Sequence, residues 1–335
     1  MRSVLFLIVA TLVFTPAFAQ PAAGGDSLVV RGEALGSKVW AYASHSVINL
    51  RHNPRYPAEM TTQVLMGTPL KIVAKRGNWH LVQTPEGYEG WTSSPLAKMD
   101  SMEMHRKNQG ARAIVTNNNA FVFTATGKSR DIVSEVVMGN ILWLSSHKKK
   151  KGHYAVTFPD GRSGYIHASA VKTWDDWKNS IQLSGESIEH ISKRFTGVPY
   201  FWGGTSSRGL DCSGLTKTTY LMHGIILPRD ARQQYVTGEA VDSTGGFSHL
   251  QKGDLLFFGR KYADDSTRYN IVHTAIYLGN KQFIQAGDGY VQISSLNPAD
   301  ANYDRYNHHR YVVAKRIINR QENGTWSIFD HPWFN

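Results

Sequence analysis

The sequence predicts a multidomain fold in which two small all-β barrels are followed by an α+β domain. Three observations carry this. A pattern of short alternating runs separated by turn residues occurs twice, "TTQVLMGTPLKIV" with "WHLVQTPEGYEGW" (61–73, 79–91) and "VSEVVMGNILWLS" with "YAVTFPDGRSGY" (133–145, 154–165). Gly67 and Gly139 lie 72 residues apart and Trp91 and Tyr165 lie 74 apart, so each copy is a domain-sized unit of about 65 residues rather than a solenoid repeat. Near Trp174 the texture changes to helical spacing, and a helix carrying the only cysteine then precedes further alternating strands.

The chain opens MRSVLFLIVATLVFTPAFAQ. A charge at Arg2, an apolar run from Val4 to Phe14 and the small-residue pattern Ala17-Phe18-Ala19 predict a cleavable export signal over 1–19. No later stretch is long and apolar enough to span a bilayer, so the mature chain is expected to be exported, periplasmic or secreted, without a membrane span. Residues 20–35 form a linker rich in Ala, Gly and Ser.

The first barrel is expected over 36–100. Leu70, Ile72 and Ala74 share one parity, His80, Val82 and Thr84 another, and turns fall at Gly67, Gly77 and Gly87. The second barrel is expected over 110–174, with the lysine run Lys148–Lys151 as a solvated hairpin tip. In the third domain, expected over 178–320, Ser184 is an N-cap for a helix with Ile188, Ile191 and Phe195 on one face before Gly197. The tail 321–335 is too aromatic to float free, and Trp326, Phe329 and Trp333 are expected to dock on the body.

Formal net charge is +11. The basic residues are scattered apart from the lysine run, so wall polymers suit the excess better than nucleic acid, which is not expected as a partner. One cysteine allows no intramolecular disulfide, and Cys212 is either buried packing or a nucleophile. It falls in the first turn of a helix ended by Gly224, where unpaired N–H groups favour a thiolate. Asp211 and Ser213 flank it, and either would cap the helix. His273 opens the alternating strand "HTAIYLGN", facing the same way as Ala275 and Tyr277, and Gln285 on the returning strand shares its face if the loop holds an odd number of residues. His308 and His309 are adjacent and diverge on an extended backbone; no metal or other cofactor is expected.

The two early segments resemble bacterial SH3-like domains in "NLRHNP", "VLMGTPLKIV" and "WHLVQTPEGYEGW"; the second copy departs, with Arg162 where the first has Tyr88. "GVPYFWGGTSSRGLDCSGL", "LPRDARQQY", "GDLLFF" and "HTAIYLGNKQFIQAG" resemble, in order, the blocks of the NlpC family of papain-like cysteine peptidases that cut bacterial wall peptides. That resemblance implies Cys212 as nucleophile, His273 as its base, Gln285 as the third polar residue where the family commonly has histidine, and Tyr200 as an oxyanion donor. Trp202 would wall the cleft, and Arg229 either pairs a substrate carboxylate or forms a salt bridge with Asp230.

The whole arrangement resembles the exported γ-D-glutamyl-L-diamino acid endopeptidases. This implies hydrolysis of murein stem peptides with a free N-terminal L-Ala and release of L-Ala-γ-D-Glu. Asp211, with Glu59 and Tyr88 of the first barrel, would hold the ammonium, and Ser213 would line the same site. The competing expectations are an endopeptidase on polymeric peptidoglycan with wall-binding barrels, and an inactive wall-binding adaptor in which Gln285 fails. A monomer is assumed.

Overall fold

The computed structural model describes residues 34–262, 265, 268–318 and 324–335. The export signal and nearly all of the linker lie outside them. The first repeat forms β1 (Trp40–Ala43), β2 (Val47–Arg51), β3 (Met60–Leu65), β4 (Pro69–Arg76), β5 (Trp79–Gln83), β6 (Glu89–Thr92) and β7 (Leu96–Met99). They make one antiparallel sheet in the order β3-β2-β6-β5-β4-β1-β7. The second repeat forms β8 (Arg112–Val115), β9 (Asn119–Phe123), β10 (Ile132–Val137), β11 (Ile141–Leu144), β12 (His153–Thr157), β13 (Ser163–His167) and β14 (Val171–Thr173). Its order, β10-β9-β13-β12-β11-β8-β14, repeats the first strand for strand.

Alternate residues of the strands fill the core of each sheet. Ile48, Leu50, Val64, Leu70, Ile72 and Val82 fill the first core, and Val115, Val122, Val136, Leu142, Val156 and Ile166 the second. The run Lys148–Lys151 between β11 and β12 is exposed throughout, as expected of a hairpin tip. Between the sheets lies α1 (Ser101–Asn108), which the sequence analysis left unassigned; Asp100 and Glu103 close a reciprocal capping box at its start.

The remaining elements form a third body. These are α2 (Trp174–Ser180), α3 (Gly185–Lys193), the hairpin β15 (Thr205–Ser206) and β16 (Gly209–Leu210), α4 (Cys212–Leu221), β17 (Ile225–Ile226) and α5 (Ala231–Gln234). They are followed by β18 (Glu239–Asp242), β19 (Leu255–Lys261), β20 (Tyr269–Gly279), β21 (Gln282–Gly287), β22 (Tyr290–Ser295), α6 (Arg305–His309), β23 (Tyr311–Arg316) and β24 (Trp326–Ser327). Six of these strands form a sheet in the order β18-β23-β19-β20-β21-β22, and α4 lies against β20 and β21. Ile276 and Leu278 point into the core under the helices, while Ala275 and Tyr277 pack on the other side with Phe258 and Phe283. Ser184 caps α3 as expected, with Ile188 and Phe195 fully buried.

The tail docks as expected through Phe329 and Trp333, whereas Trp326 stays largely exposed. β24 pairs with β17, and Ile328, His331 and Phe334 are buried. Phe329 packs on Trp174 and Trp177, and Trp333 on Trp40. Trp326 is 46% exposed and covers only the edge of His331, because its place on a two-residue strand turns the ring outward.

Candidate active site

Cys212 is the first residue of α4. Asp211 precedes it in extended conformation, and its Oδ1 accepts from Gly214 N at 2.7 Å, which makes Asp211 the N-cap. The start of the helix is pressed onto the preceding loop: a Cβ at Gly214 would lie 1.9 Å from the carbonyl oxygen of Gly204. Only glycine allows that approach, and it fixes the helix terminus beneath the thiol. Backbone N–H groups of Thr274 and Ser213 approach the sulfur, and the half-buried Tyr200 ring stands beside it. The Tyr200 hydroxyl donates to no described residue and lies within the electrostatic reach of Cys212 and Asp211.

His273 sits on β20 with its side chain 8% exposed. Its Nε2–H donates to Gln285 Oε1 at 2.7 Å. The odd residue that the sharing of a face required is supplied by a β-bulge: Tyr277 pairs with Phe283 and Gly279 with Gln282, so Leu278 is the extra residue. Gln285 therefore falls opposite Ala275, on the face that carries His273. Gly287 lies over the imidazole, where an added Cβ would be 3.8 Å from Cε1.

With Nε2 committed as a donor, Nδ1 is the nitrogen left to take a proton. Burial pushes the Cys212 thiol up to about 11, aided by the Asp211 charge and partly offset by the N–H groups of Thr274 and Ser213 and the Arg229 guanidinium. This reverses the sequence-based expectation of a helix-stabilised thiolate, because desolvation of the anion outweighs the helix terminus. Burial likewise lowers His273 to about 4; Gln285 and the Asp304 and Asp211 carboxylates oppose the shift, and Arg310 adds to it. Burial thus favours the neutral form of the thiol and of the imidazole alike.

Four residues of this network were not marked by the sequence. Gln285 Nε2 donates to Ser294 Oγ at 2.9 Å and to Asp304 Oδ2 at 2.8 Å, and Asn307 Nδ2 donates to Gln285 Oε1 at 3.0 Å. Arg310 Nε donates to Asn307 Oδ1 at 2.9 Å, and its guanidinium stacks over Tyr306. Asp304 had a detectable signal as the N-cap of α6, three residues before Asn307.

Around Asp211 the structure gathers Arg229 and Ser213 into one buried cluster, and this corrects the expected role of Arg229 toward a substrate carboxylate. Arg229 is 1% exposed and faces no open carboxylate site. Its Nη1 and Nη2 donate to Asp211 at 3.2 and 2.5 Å, Nη1 also to Ser213 Oγ, and Nε to Thr62 Oγ1 of the first barrel. Ser213 is 4% exposed, and its hydroxyl donates to Asp211 and accepts from Arg229. Asp211 is 7% exposed and accepts from Gly203 N, Gly214 N, Ser213 and both Arg229 nitrogens, which fills the acceptor capacity of one carboxylate.

The first barrel closes against this cluster. Trp202 Nε1 donates to Glu59 Oε1 at 2.8 Å, and Thr205 N and Ser206 Oγ donate to Gln63. Tyr88 hydrogen-bonds Asp230, whose carboxyl is raised by burial despite the opposing Arg229 charge. Lys217 of α4 reaches Glu86 at 3.0 Å. Glu59, Tyr88 and Trp202 thus meet at one seam, joined by Asp230, which the sequence marked only as a partner for Arg229.

Residues 197–313 match the NlpC/P60 family, and residues 46–96 match the bacterial SH3 domain. The chain is 31% identical over 249 residues to a gamma-D-glutamyl-L-lysine dipeptidyl-peptidase of Bacillus cereus, covering 71% of each sequence. It is 28% identical over 260 residues to dipeptidyl-peptidase 6 of Lysinibacillus sphaericus, covering 74% of this chain and 89% of that one. A crystal structure of an NlpC/P60 family protein from Bacillus cereus superposes with a TM-score of 0.69 at 26% identity, over 83% of this chain and 99% of the other.

Proposed function

The chain belongs to the NlpC/P60 family of cysteine peptidases, and from that premise we propose that it hydrolyses the γ-D-Glu–L-diamino acid bond of murein stem peptides bearing a free N-terminal L-Ala. The observation that carries this reading is the seam between the first barrel and the peptidase body. Glu59 meets Trp202 there, and Tyr88 meets Asp230 within the field of Asp211, the residue before Cys212; on our reading this is where a longer chain preceding the L-Ala would be stopped. An ammonium in such a wall needs an acidic partner and gains from an aromatic face. Because Asp211 is occupied by Arg229, the acidic groups facing the ammonium are Asp230 and Glu59, with Asp211 holding the wall in place. The names of two relatives, which specify dipeptidyl-peptidase activity, support the same choice.

In the proposed reaction His273 Nδ1 takes the Cys212 proton as sulfur attacks the γ-carbonyl. The Tyr200 hydroxyl and the Cys212 N–H stabilise the oxyanion, and the imidazolium then protonates the leaving amine. Water hydrolyses the thioester to release L-Ala-γ-D-Glu. The inactive-adaptor reading loses its motive, since Gln285 accepts the ring N–H at 2.7 Å. The opening export pattern supports action beyond the inner membrane. No helix among the described residues is long and apolar enough to cross a membrane.

Mass spectrometry of products from L-Ala-γ-D-Glu-meso-diaminopimelate tests the bond chosen. The expected products are L-Ala-γ-D-Glu and free diaminopimelate; cleavage at any other bond, or no cleavage by folded protein, contradicts the proposal.

A further inference from the structure

We propose that Asp304 is a positioning residue for the catalytic histidine and acts through Gln285. A glutamine amide presents an acceptor on one side and a donor on the other, and the two are interchanged by a half-turn about its last bond. Here Gln285 Oε1 accepts from His273 Nε2–H and from Asn307 Nδ2, while Nε2 donates to Ser294 Oγ and Asp304 Oδ2. The reversed amide would set its NH2 against two donors and its oxygen against a carboxylate. An ionised carboxylate only accepts, so Asp304 excludes the reversed state. The imidazole then carries its proton on Nε2 and keeps Nδ1 free as the base.

The charge also counts. A neutral glutamine at the third position supplies no anion to the imidazolium formed during attack, and Asp304 places one a single amide away. Burial would raise the Asp304 carboxyl, but hydrogen bonds from Asn307 and Gln285 outweigh it and hold the group below its ordinary range, which favours the ionised form. The other charged groups acting on His273 are Arg310 at the end of α6 and Asp211 at the start of α4. Asp304 itself is held by capping α6 through Asn307 N at 2.9 Å.

The test is a double-mutant cycle on whichever stem peptide the parent enzyme cleaves, which makes its outcome independent of the substrate proposed above. Asp304→Asn keeps an N-cap oxygen for α6 but removes the charge. Expected is a fall in kcat of about 10- to 100-fold, part of the 10²–10⁴ that a positioned general base contributes, with KM changed by less than about threefold. The acid limb of kcat/KM moves to lower pH, because the imidazolium has lost a nearby anion. A role confined to the helix cap would leave that limb in place.

In a Gln285→Ala background the same substitution is expected to cost at least about threefold less, the remainder being the direct effect of the charge on the imidazolium. Asp304→Ser, which also caps but cannot reach Gln285, repeats the experiment if the asparagine variant folds poorly. An unmoved acid limb, no loss in the parent background, or equal fold-losses in both backgrounds overturns the proposal.

Discussion

Replacing Arg229 by methionine is expected to destabilise the protein by about 3–5 kcal/mol, the cost of leaving one member of a buried ion pair alone. The guanidinium is 1% exposed and joins three parts of the molecule: Asp211 before the nucleophile, Ser213 within α4, and Thr62 on β3 of the first barrel. Its removal strands the Asp211 carboxylate in a site with no other cation bonded to it among the described residues. Lysine would not restore the geometry, since its single ammonium cannot span two carboxylate oxygens and two hydroxyls. Denaturant unfolding of the parent, Arg229→Met and Arg229→Lys proteins measures the effect. A loss below about 1 kcal/mol for methionine would mean that the cluster is better solvated than its burial implies.

Cys212→Ala is expected to abolish turnover, with a fall in kcat on the order of 10⁴–10⁶, while leaving the fold intact. Burial of the thiol adds a second readout in the parent enzyme. With the thiol pushed up to about 11, inactivation by iodoacetamide should accelerate steadily as pH rises through the alkaline range, following the thiolate fraction. A thiolate–imidazolium pair would instead react fast and nearly independently of pH across the neutral range. Residual cleavage by Cys212→Ala, or that flat alkylation profile, would contradict the arrangement described.

Much of the site was legible because it rests on periodicities of the chain. Parity placed His273 with Ala275 and Tyr277, and helical spacing put Cys212 in a first turn. Whether Gln285 met His273 depended on one residue of register, and the bulge at Leu278 that decides it has no reliable sequence signature. Asp304 was hidden for another reason. It lies in "NPADANYDRYNHH", where any Asp reads as a turn or cap, and its approach to Gln285 follows from how α6 folds back over β21.

Arg229 was misjudged because its burial depends on a partner 167 positions away on another domain, which no local pattern encodes. The barrels followed from their repeat, down to a shared strand order, although Arg162 replaces Tyr88 in the second copy. That difference has a physical counterpart. Tyr88 turns toward Asp230 of the peptidase body, whereas Arg162 pairs with Asp160 of its own turn and reaches the Ser44 carbonyl of the first barrel.

The proposed selectivity for a free amine rests on the first barrel. It is tested most directly by comparing kcat/KM for L-Ala-γ-D-Glu-meso-diaminopimelate with that for its N-acetylated form. Acetylation removes the charge that Asp230 and Glu59 would face and adds bulk at the wall. The expected result is a loss of about 10³-fold or more, in the range found when a site built for one polar group meets an analogue lacking it. Equal rates for the two peptides would contradict the account, for the end wall would then be open and the barrel would have another purpose.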